Sequence, residues 1–309
     1  MTEPPRSEPL GSPISSGASQ PLLGLGFIAP ALLLLLCLNV FPLVYDVYLS
    51  FTNADLSGGP IRSVGVANYT VIFTEERFSA AITTTALFVL VSVSIQLVLG
   101  FVLALALWGQ TSKRPVLLTM LLIPMMLCPV VLSLFWNLIL NGQFGVLNQL
   151  LALLWLPEPQ WLTDRHLKFA SILLVDIWMW TPFMMLISLA GLNAIPSYLY
   201  EAAEIDRAGR WLVFRRITLP MCAPLLGLAV LLRATDALKQ FDLVMALTGP
   251  NDMATQTLSA RLYQVAFRDY KVGLGAAYSV VSLVCVIAVA TLCVRYIDRM
   301  QKQQGRLET

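Results

Sequence analysis

Charged side chains are scarce in this sequence. Asp, Glu, Lys and Arg together make up 12% of the 309 residues, whereas 57% are hydrophobic. A soluble globular domain carries about a quarter charged residues, so this chain lacks the polar surface needed to cover a water-soluble core. The formal net charge of +2, with no basic cluster interleaved with aromatics, excludes a nucleic-acid partner. The composition therefore predicts a protein whose solvent is the lipid bilayer.

Residues that bind metals or form disulfides are also few. His166 is the single histidine, which excludes a histidine-rich metal site. No CxxC pair is present, and all five cysteines lie in or beside apolar segments: Cys37, Cys128, Cys222, Cys285 and Cys293. We interpret them as small apolar residues and expect no metal and no cofactor. The sequence also lacks a GxxxxGK[ST] loop, so it does not predict a P-loop for ATP.

Long apolar runs, by contrast, are abundant. Spanning a bilayer takes about 20 mostly apolar residues. Six stretches qualify: residues 25–50, 80–108, 116–140, 169–192, 219–247 and 272–294. The predicted fold class is therefore an all-α membrane protein with six transmembrane helices. Prolines inside the first, third and fourth stretches are expected to kink the helices or to be accommodated by packing.

The apolar stretches and the segments between them predict the domain organisation and the membrane orientation of the chain. Residues 1–23 are rich in Pro, Ser and Gly and predict a disordered cytoplasmic tail. Residues 24–78 hold the first helix and an outer loop, residues 79–296 form the transmembrane domain, and residues 297–309 form a second tail. With the N-terminus inside, 11 Lys and Arg residues are cytoplasmic and 7 are external. This bias favours a multi-pass inner (plasma) membrane protein with both termini in the cytoplasm.

The polar segment between the fourth and fifth stretches, residues 196–220, is the most informative part of the sequence. Ser197 is a candidate cap for a short amphipathic helix, and Ala208-Gly209 allows a turn before a second one. Pro220 then opens the next span, where its missing N–H costs little. Two interpretations are open: a helix lying at the lipid interface, or a docking helix for a cytoplasmic partner that meets Glu201.

This segment resembles the EAA loop of ABC importer permeases. The family pattern is Glu-Ala-Ala, three residues, Gly, nine residues and Ile-x-Leu-Pro, and matching residues stand at Glu201, Ala202, Ala203, Ile217, Leu219 and Pro220. Arg207 stands where the family has glycine, and Gly209 is expected to provide the turn instead. The resemblance implies that this loop, including Asp206, docks on an ATPase subunit and transmits its motion to the membrane helices.

Further matches resemble the maltose/glycerol-3-phosphate branch of these permeases. They are Asn68-Tyr69, the run RATDALKQFD at 233–242, and Leu-Thr-Gly-Pro at 247–250, where the branch usually has a longer glycine turn. The resemblance implies the type I, MetI-like importer fold and a permease that is not itself an enzyme. It also implies four kinds of partner: a second permease, two ATP-binding subunits, a periplasmic or lipid-anchored solute-binding protein, and a small solute.

Ionisable and aromatic residues within the fourth and fifth spans mark a candidate solute path. Ionisable groups inside membrane helices are costly and indicate function by default. Helical spacing places Asp176, Trp180 and Phe183 on one face, and a second face carries Arg233, Asp236 and Gln240. Counting along the helices places both sets near mid-membrane. The structural alternative is that Arg233 and Asp236 neutralise each other and hold helices together.

The function predicted from these features is the translocation path for a sugar, polyol or glycerol-phosphate-like solute, powered by separate ATPase subunits. A secondary transporter would predict inverted repeats and no docking loop, and the sequence shows no internal repeat. An intramembrane enzyme would need paired carboxylates, histidines or an activated nucleophile at one depth, which a single loop histidine does not favour.

Overall fold

The computed structural model describes residues 20–109 and 114–305, with side chains described for 28–109 and 115–299. Fourteen α-helices are found there: α1 Gln20–Leu35, α2 Phe41–Ser50, α3 Ala67–Thr74, α4 Glu76–Leu107, α5 Arg114–Met126, α6 Pro129–Ile139, α7 Val146–Leu153, α8 Leu167–Asn193, α9 Ser197–Ile205, α10 Arg210–Val213, α11 Leu219–Ala237, α12 Asp242–Leu247, α13 Leu258–Tyr263 and α14 Val272–Gly305. The only extended pairing in these ranges is a bridge between Thr52 and Ser63. The all-α prediction is confirmed.

The chain divides into two units, residues 1–48 and 49–309. The first unit contains α1, a π-helical segment Leu36–Val40 and most of α2. The helix begins at Gln20, within the range predicted as the N-terminal tail. Residues 1–19 of that tail, and 306–309 of the C-terminal tail, lie outside the described residues.

Five helical stretches in the described part of the chain are long and apolar enough to cross a membrane: Ile28–Ser50, Glu76–Leu107, Leu167–Asn193, Arg210–Ala237 and Val272–Arg299. A sixth is obtained if Pro115–Met126 and Pro129–Ile139 count as one span. These two helices are bent by 92° relative to each other. The predicted third span, 116–140, is therefore a broken element and not one continuous helix.

The break in the third span has a local cause. Proline disfavours the helical conformation in the residue before it. Cys128 precedes Pro129 and is extended, with φ −61° and ψ 128°. Pro129 then begins α6 at a position where its missing N–H has no helical partner to lose. The chain thus ends α5 at Met126 and restarts in a new direction after two residues.

The fifth span also differs from its predicted range of 219–247. Helix α11 ends at Ala237, and Asp242–Leu247 forms the separate short helix α12. At its other end, α11 is joined to α10 through a π-helical segment, Phe214–Thr218, so the span begins at Arg210. Pro220 follows this π segment by two residues, as Pro42 follows the π segment Leu36–Val40. The wider π turn lets a proline enter a continuing helix without its ring meeting the preceding turn.

Helices α4 and α8 pack closely and form the centre of the second unit, and α11 packs on both. Gly100 of α4 makes this approach possible, since a Cβ there would lie 2.5 Å from Cβ of Met184 in α8. Large apolar residues such as Phe88, Ile172 and Leu243 are fully buried in the core of this unit. The same three helices position the candidate site described below.

Candidate functional site within the helices and at the connecting loop

A buried ion pair joins α8 to α11. Both carboxylate oxygens of Asp176 accept hydrogen bonds from Nη2 of Arg233, at 2.5 and 2.6 Å. Neither side chain has any exposed surface. Because an uncompensated charge in such a place is very unfavourable, each residue depends on the other. The two residues were predicted on separate helix faces, and the structure brings these faces into contact.

Gln96 of α4 completes this pair and was not predicted from the sequence. Its Nε2 donates to Oδ2 of Asp176 at 2.8 Å, and its Oε1 accepts from Nε of Arg233 at 3.0 Å. Gln96 is fully buried. The available signal was an isolated amide in the apolar run between Ser94 and Gly100. The amide therefore links three helices through one polar cluster.

Asp236 and Trp180 lie on the remaining sides of the guanidinium. Nη1 of Arg233 donates to Oδ2 of Asp236 at 3.0 Å, and 47% of the Asp236 side chain stays exposed. The ring of Trp180 lies 4.8 Å from the guanidinium carbon of Arg233 and contacts Phe183 edge-on. Five of the six predicted path residues thus lie together with Gln96. We call this assembly the Arg233 cluster, and its members are Gln96, Asp176, Trp180, Phe183, Arg233 and Asp236.

Gln240, the sixth predicted path residue, does not belong to the Arg233 cluster. It lies three residues beyond the end of α11, so the shared helical face expected with Arg233 does not extend to it. It is buried, and its carbonyl accepts a hydrogen bond from Thr257. Lys239 also lies outside the helix and is exposed. Because α11 ends at Ala237, Arg233 is near the end of its span and not at the midpoint predicted from a longer helix.

At the opposite ends of these helices, α9 and α10 form the predicted two-helix connection. Ala203 is buried against neighbouring residues, whereas Glu201, Ala202 and Asp206 are exposed. A cavity of about 390 Å³ lies beside Glu201 and is also lined by Ser197. Apolar residues thus anchor α9 and leave its acidic face available, as a docking segment requires.

The turn after α9 is a Schellman motif, in which Arg207 has a left-handed φ of +50°. The amide of Ala208 donates to the carbonyl of Ala203, and that of Arg207 donates to Glu204. This conformation is the one for which glycine is suited. The expectation that Gly209 supplies the turn is wrong: Gly209 has φ −65° and precedes α10. The predicted Ser197 cap is also wrong, because Pro196 occupies that position and Ser197 begins the helix.

The end of the connecting segment is tied back to α9. The hydroxyl groups of Tyr200 and Thr218 lie 3.1 Å apart, which joins α9 to the π segment before α11. Partial burial raises the pKa of Tyr200, opposed by this hydrogen bond. Ile217 packs among the apolar residues there, Leu219 is exposed, and Pro220 is half-buried. Helix α9 is therefore joined directly to the start of the fifth span.

Polar contacts also fix the N-terminal end of α8. The Asp164 carboxylate accepts bonds from the amides of His166 and Leu167, and these bonds lower the pKa of Asp164. Lys168 forms an ion pair with Asp252. The amide of His166, the single histidine, is therefore part of the hydrogen-bonded turn that precedes α8. Within the described residues, no group of three His, Cys, Asp or Glu side chains is arranged to hold a metal ion.

Comparison with known proteins adds an independent finding. Residues 96–303 match the family described as binding-protein-dependent transport system inner membrane component. The chain is 35% identical to the trehalose/maltose transport system permease protein MalF of Thermococcus litoralis, covering 86% of this chain and 90% of that protein. It is 34% identical to the sulfoquinovosyl glycerol transport system permease protein SmoG of Agrobacterium fabrum, covering 90% and 92%.

A solved structure has the same fold. One chain of a bacterial alginate ABC transporter, crystallised in complex with its alginate pentasaccharide-bound periplasmic protein, superimposes with a TM-score of 0.82. The match covers 92% of this chain and 96% of that chain at 21% identity. At this identity the similarity supports the fold alone.

Proposed function

Because this chain belongs to the family of inner-membrane components of binding-protein-dependent transport systems, we propose that it forms half of the translocation path for a carbohydrate. It is an integral inner-membrane permease subunit of an ABC importer and works with a solute-binding protein. ATP hydrolysis belongs to separate subunits in this family, and the chain is not an enzyme. The names of the relatives, which include trehalose, maltose and sulfoquinovosyl glycerol, support a saccharide or glycoside as solute.

The proposed solute contact is the exposed side of the Arg233 cluster. Trp180 and Asp236 keep accessible surface there, and Phe183 adjoins the indole. An aromatic ring covers the apolar face of a sugar, and a carboxylate accepts hydrogen bonds from its hydroxyl groups. Asp176 and Arg233 are fully buried and support this surface from behind. Arg233 pairs with Asp236, as the structural alternative expected, but both residues lie on α11, so the contact between helices is made by Asp176 and Arg233. The Asp236 side chain stays 47% exposed despite this pairing.

We propose that the α9–α10 connection couples the ATP-binding subunits to the membrane helices. This connection gives the most direct support for a permease function. Its acidic residues are exposed. The hydrogen bond between Tyr200 and Thr218 joins α9 to the segment that begins the fifth span. We place both termini in the cytoplasm, which puts this connection on the side where ATP is available. A second permease and two ATP-binding subunits complete the assembly. Closure of the ATPase pair shifts the balance between inward-facing and outward-facing states by changing these contacts.

The test is the substitution Glu201→Lys in the complete transporter. Glu201 is exposed on α9, so charge reversal is expected to weaken ATPase docking without affecting the core. Solute-stimulated ATP hydrolysis should fall to the unstimulated rate, or the ATPase subunits should no longer co-purify. Glu158→Lys is the control, since Glu158 is also exposed but lies in the loop before α8. Normal stimulation in Glu201→Lys would remove the proposed coupling role.

A further inference from the structure

The charge balance of the Arg233 cluster points to the class of solute. One guanidinium is surrounded by two carboxylates, those of Asp176 and Asp236. The formal charge of the cluster is therefore negative. Lys239 and Asp242, in the turn after α11 and at the start of α12, are of opposite sign and offset each other formally. A cation-selective or neutral-selective surface is expected, and an anion-binding one is not.

The hydrogen-bonding capacity of Arg233 leads to the same conclusion. A guanidinium has five N–H donors. Each of its three nitrogens donates to a partner: Nε to Gln96, Nη1 to Asp236, and Nη2 to both oxygens of Asp176. The Trp180 ring covers one face of the guanidinium, with its centroid 4.8 Å from the guanidinium carbon of Arg233. The Arg233 side chain has no exposed surface. The obvious candidate for binding a phosphate, sulfonate or carboxylate is therefore already occupied and enclosed.

Asp236 is the charged group of the Arg233 cluster that keeps exposed surface. Its side chain is 47% exposed while one oxygen is held by Arg233. A fixed carboxylate accepts hydrogen bonds from hydroxyl groups, whereas it repels an anionic substituent brought to the same distance. Trp180 offers an apolar ring beside it. These two groups match a neutral polyhydroxylated ring.

We propose that Asp236, held by Arg233 beside Trp180, makes the path through this subunit selective for neutral polyhydroxylated solutes over anionic ones. This proposal rests on the proposed carbohydrate path and narrows it. Glycerol phosphate, which the sequence left open, is disfavoured at this point, and so are sugar phosphates. The selection is independent of the solute-binding protein, because it arises from charge fixed within the membrane subunit.

The experiment compares trehalose with trehalose 6-phosphate, which share the same rings and differ in charge. The complete membrane complex is placed in lipid nanodiscs without solute-binding protein, and dissociation constants are measured by saturation-transfer difference NMR. Wild type is expected to bind trehalose at least about tenfold more tightly than the phosphate. Asp236→Asn should narrow this ratio by removing the repulsion, whereas Asp236→Glu should retain it. Asp269→Asn, an exposed carboxylate before α14, is the matched control and should leave the ratio unchanged.

Several results would overturn the proposal. Equal affinity of wild type for both sugars would do so, as would binding of neither, or an unchanged ratio in Asp236→Asn. Preference for the phosphate that disappears in Lys239→Gln would show that the exposed cation governs selection instead. The proposed permease function is tested by a separate measurement, solute-stimulated ATP hydrolysis in the Glu201→Lys transporter. A complex that is coupled normally but binds both sugars equally would retain the function and lose this inference.

Discussion

Asp176 and Arg233 are 57 residues apart in the sequence and form a fully buried contact in which one guanidinium nitrogen reaches both carboxylate oxygens. This contact fixes α8 against α11 at the candidate solute surface. Its strength depends on pairing, since removing one partner of a buried ion pair leaves the other charge without compensation. The following prediction tests that dependence.

Arg233→Leu alone should lower the free energy of unfolding by about 3–5 kcal/mol, because Asp176 is then buried without a compensating positive charge. The double variant Asp176→Leu/Arg233→Leu should lose less than the sum of the two single variants, since apolar residues replace both charges. Denaturant unfolding of the purified chain in detergent measures all three. Additive losses would show that the pair does not act as a unit. Lys168 and Asp252, which keep 17% and 19% exposure, provide a control pair with a smaller expected coupling.

Gly100→Ala should destabilise the protein by about 1–3 kcal/mol, because the added methyl group meets the α8 backbone and helix separation must increase. The nearest atoms would be Cβ of Met184 at 2.5 Å and the amide nitrogen of Met185 at 2.7 Å. Gly191→Ala is the matched control in α8, where the nearest atom lies at an ordinary 3.5 Å. That change should be neutral or stabilising. Equal melting temperatures for the two variants would contradict the close approach of α4 and α8.

The sequence predicted the spans well because membrane helices depend mainly on length and hydropathy. It also predicted five of the six residues that the structure brings together in the Arg233 cluster, since charged and aromatic groups stand out in apolar runs. It missed Gln96, whose role depends on contacts with residues 80 and 137 positions away. An uncharged amide gives no comparable signal when its partners are unknown.

The errors at helix ends have a different origin. Helix α11 ends at Ala237 and the chain restarts as α12 at Asp242, so Gln240 lies in the turn between the two helices. The polar residues Lys239, Gln240 and Asp242 interrupt the apolar run there and mark that end, although the prediction carried the span on to residue 247. The 92° bend at Pro129 was visible only as a proline, which is compatible with either a kink or a full break.

Tyr200→Phe should remove the link between α9 and the start of the fifth span, at a cost of about 1 kcal/mol. Solute-stimulated ATP hydrolysis should fall, because α9 is then less firmly coupled to α11. Tyr198→Phe is the matched control, since Tyr198 lies on the same helix and is 63% exposed. Normal stimulation in Tyr200→Phe would show that this hydrogen bond does not transmit the motion.

The raised pKa of Tyr200 predicts how the contribution of this side chain to stability depends on pH. Burial raises the pKa, so the folded protein holds the phenol proton more tightly than the unfolded chain does. The resulting stabilisation is fully present below the unfolded pKa of about 10 and is lost as the pH rises through the folded value. The difference in melting temperature between wild type and Tyr200→Phe should therefore be constant near neutrality and should narrow above about pH 10. A difference that grows with pH would contradict this assignment.

Arg207→Gly should stabilise the turn after α9 by about 1 kcal/mol, since glycine adopts a positive φ without the steric cost that a Cβ imposes. Arg207 has φ +50° in the Schellman motif that ends α9. Arg207→Ala is the matched control: it removes the same charge but keeps the Cβ, so it should gain nothing in stability. The measurement is the melting temperature of the purified complex in detergent, with ATP hydrolysis followed in parallel. If Arg207→Ala were as stabilising as Arg207→Gly, the effect would arise from the charge, and the left-handed conformation would not be the cause.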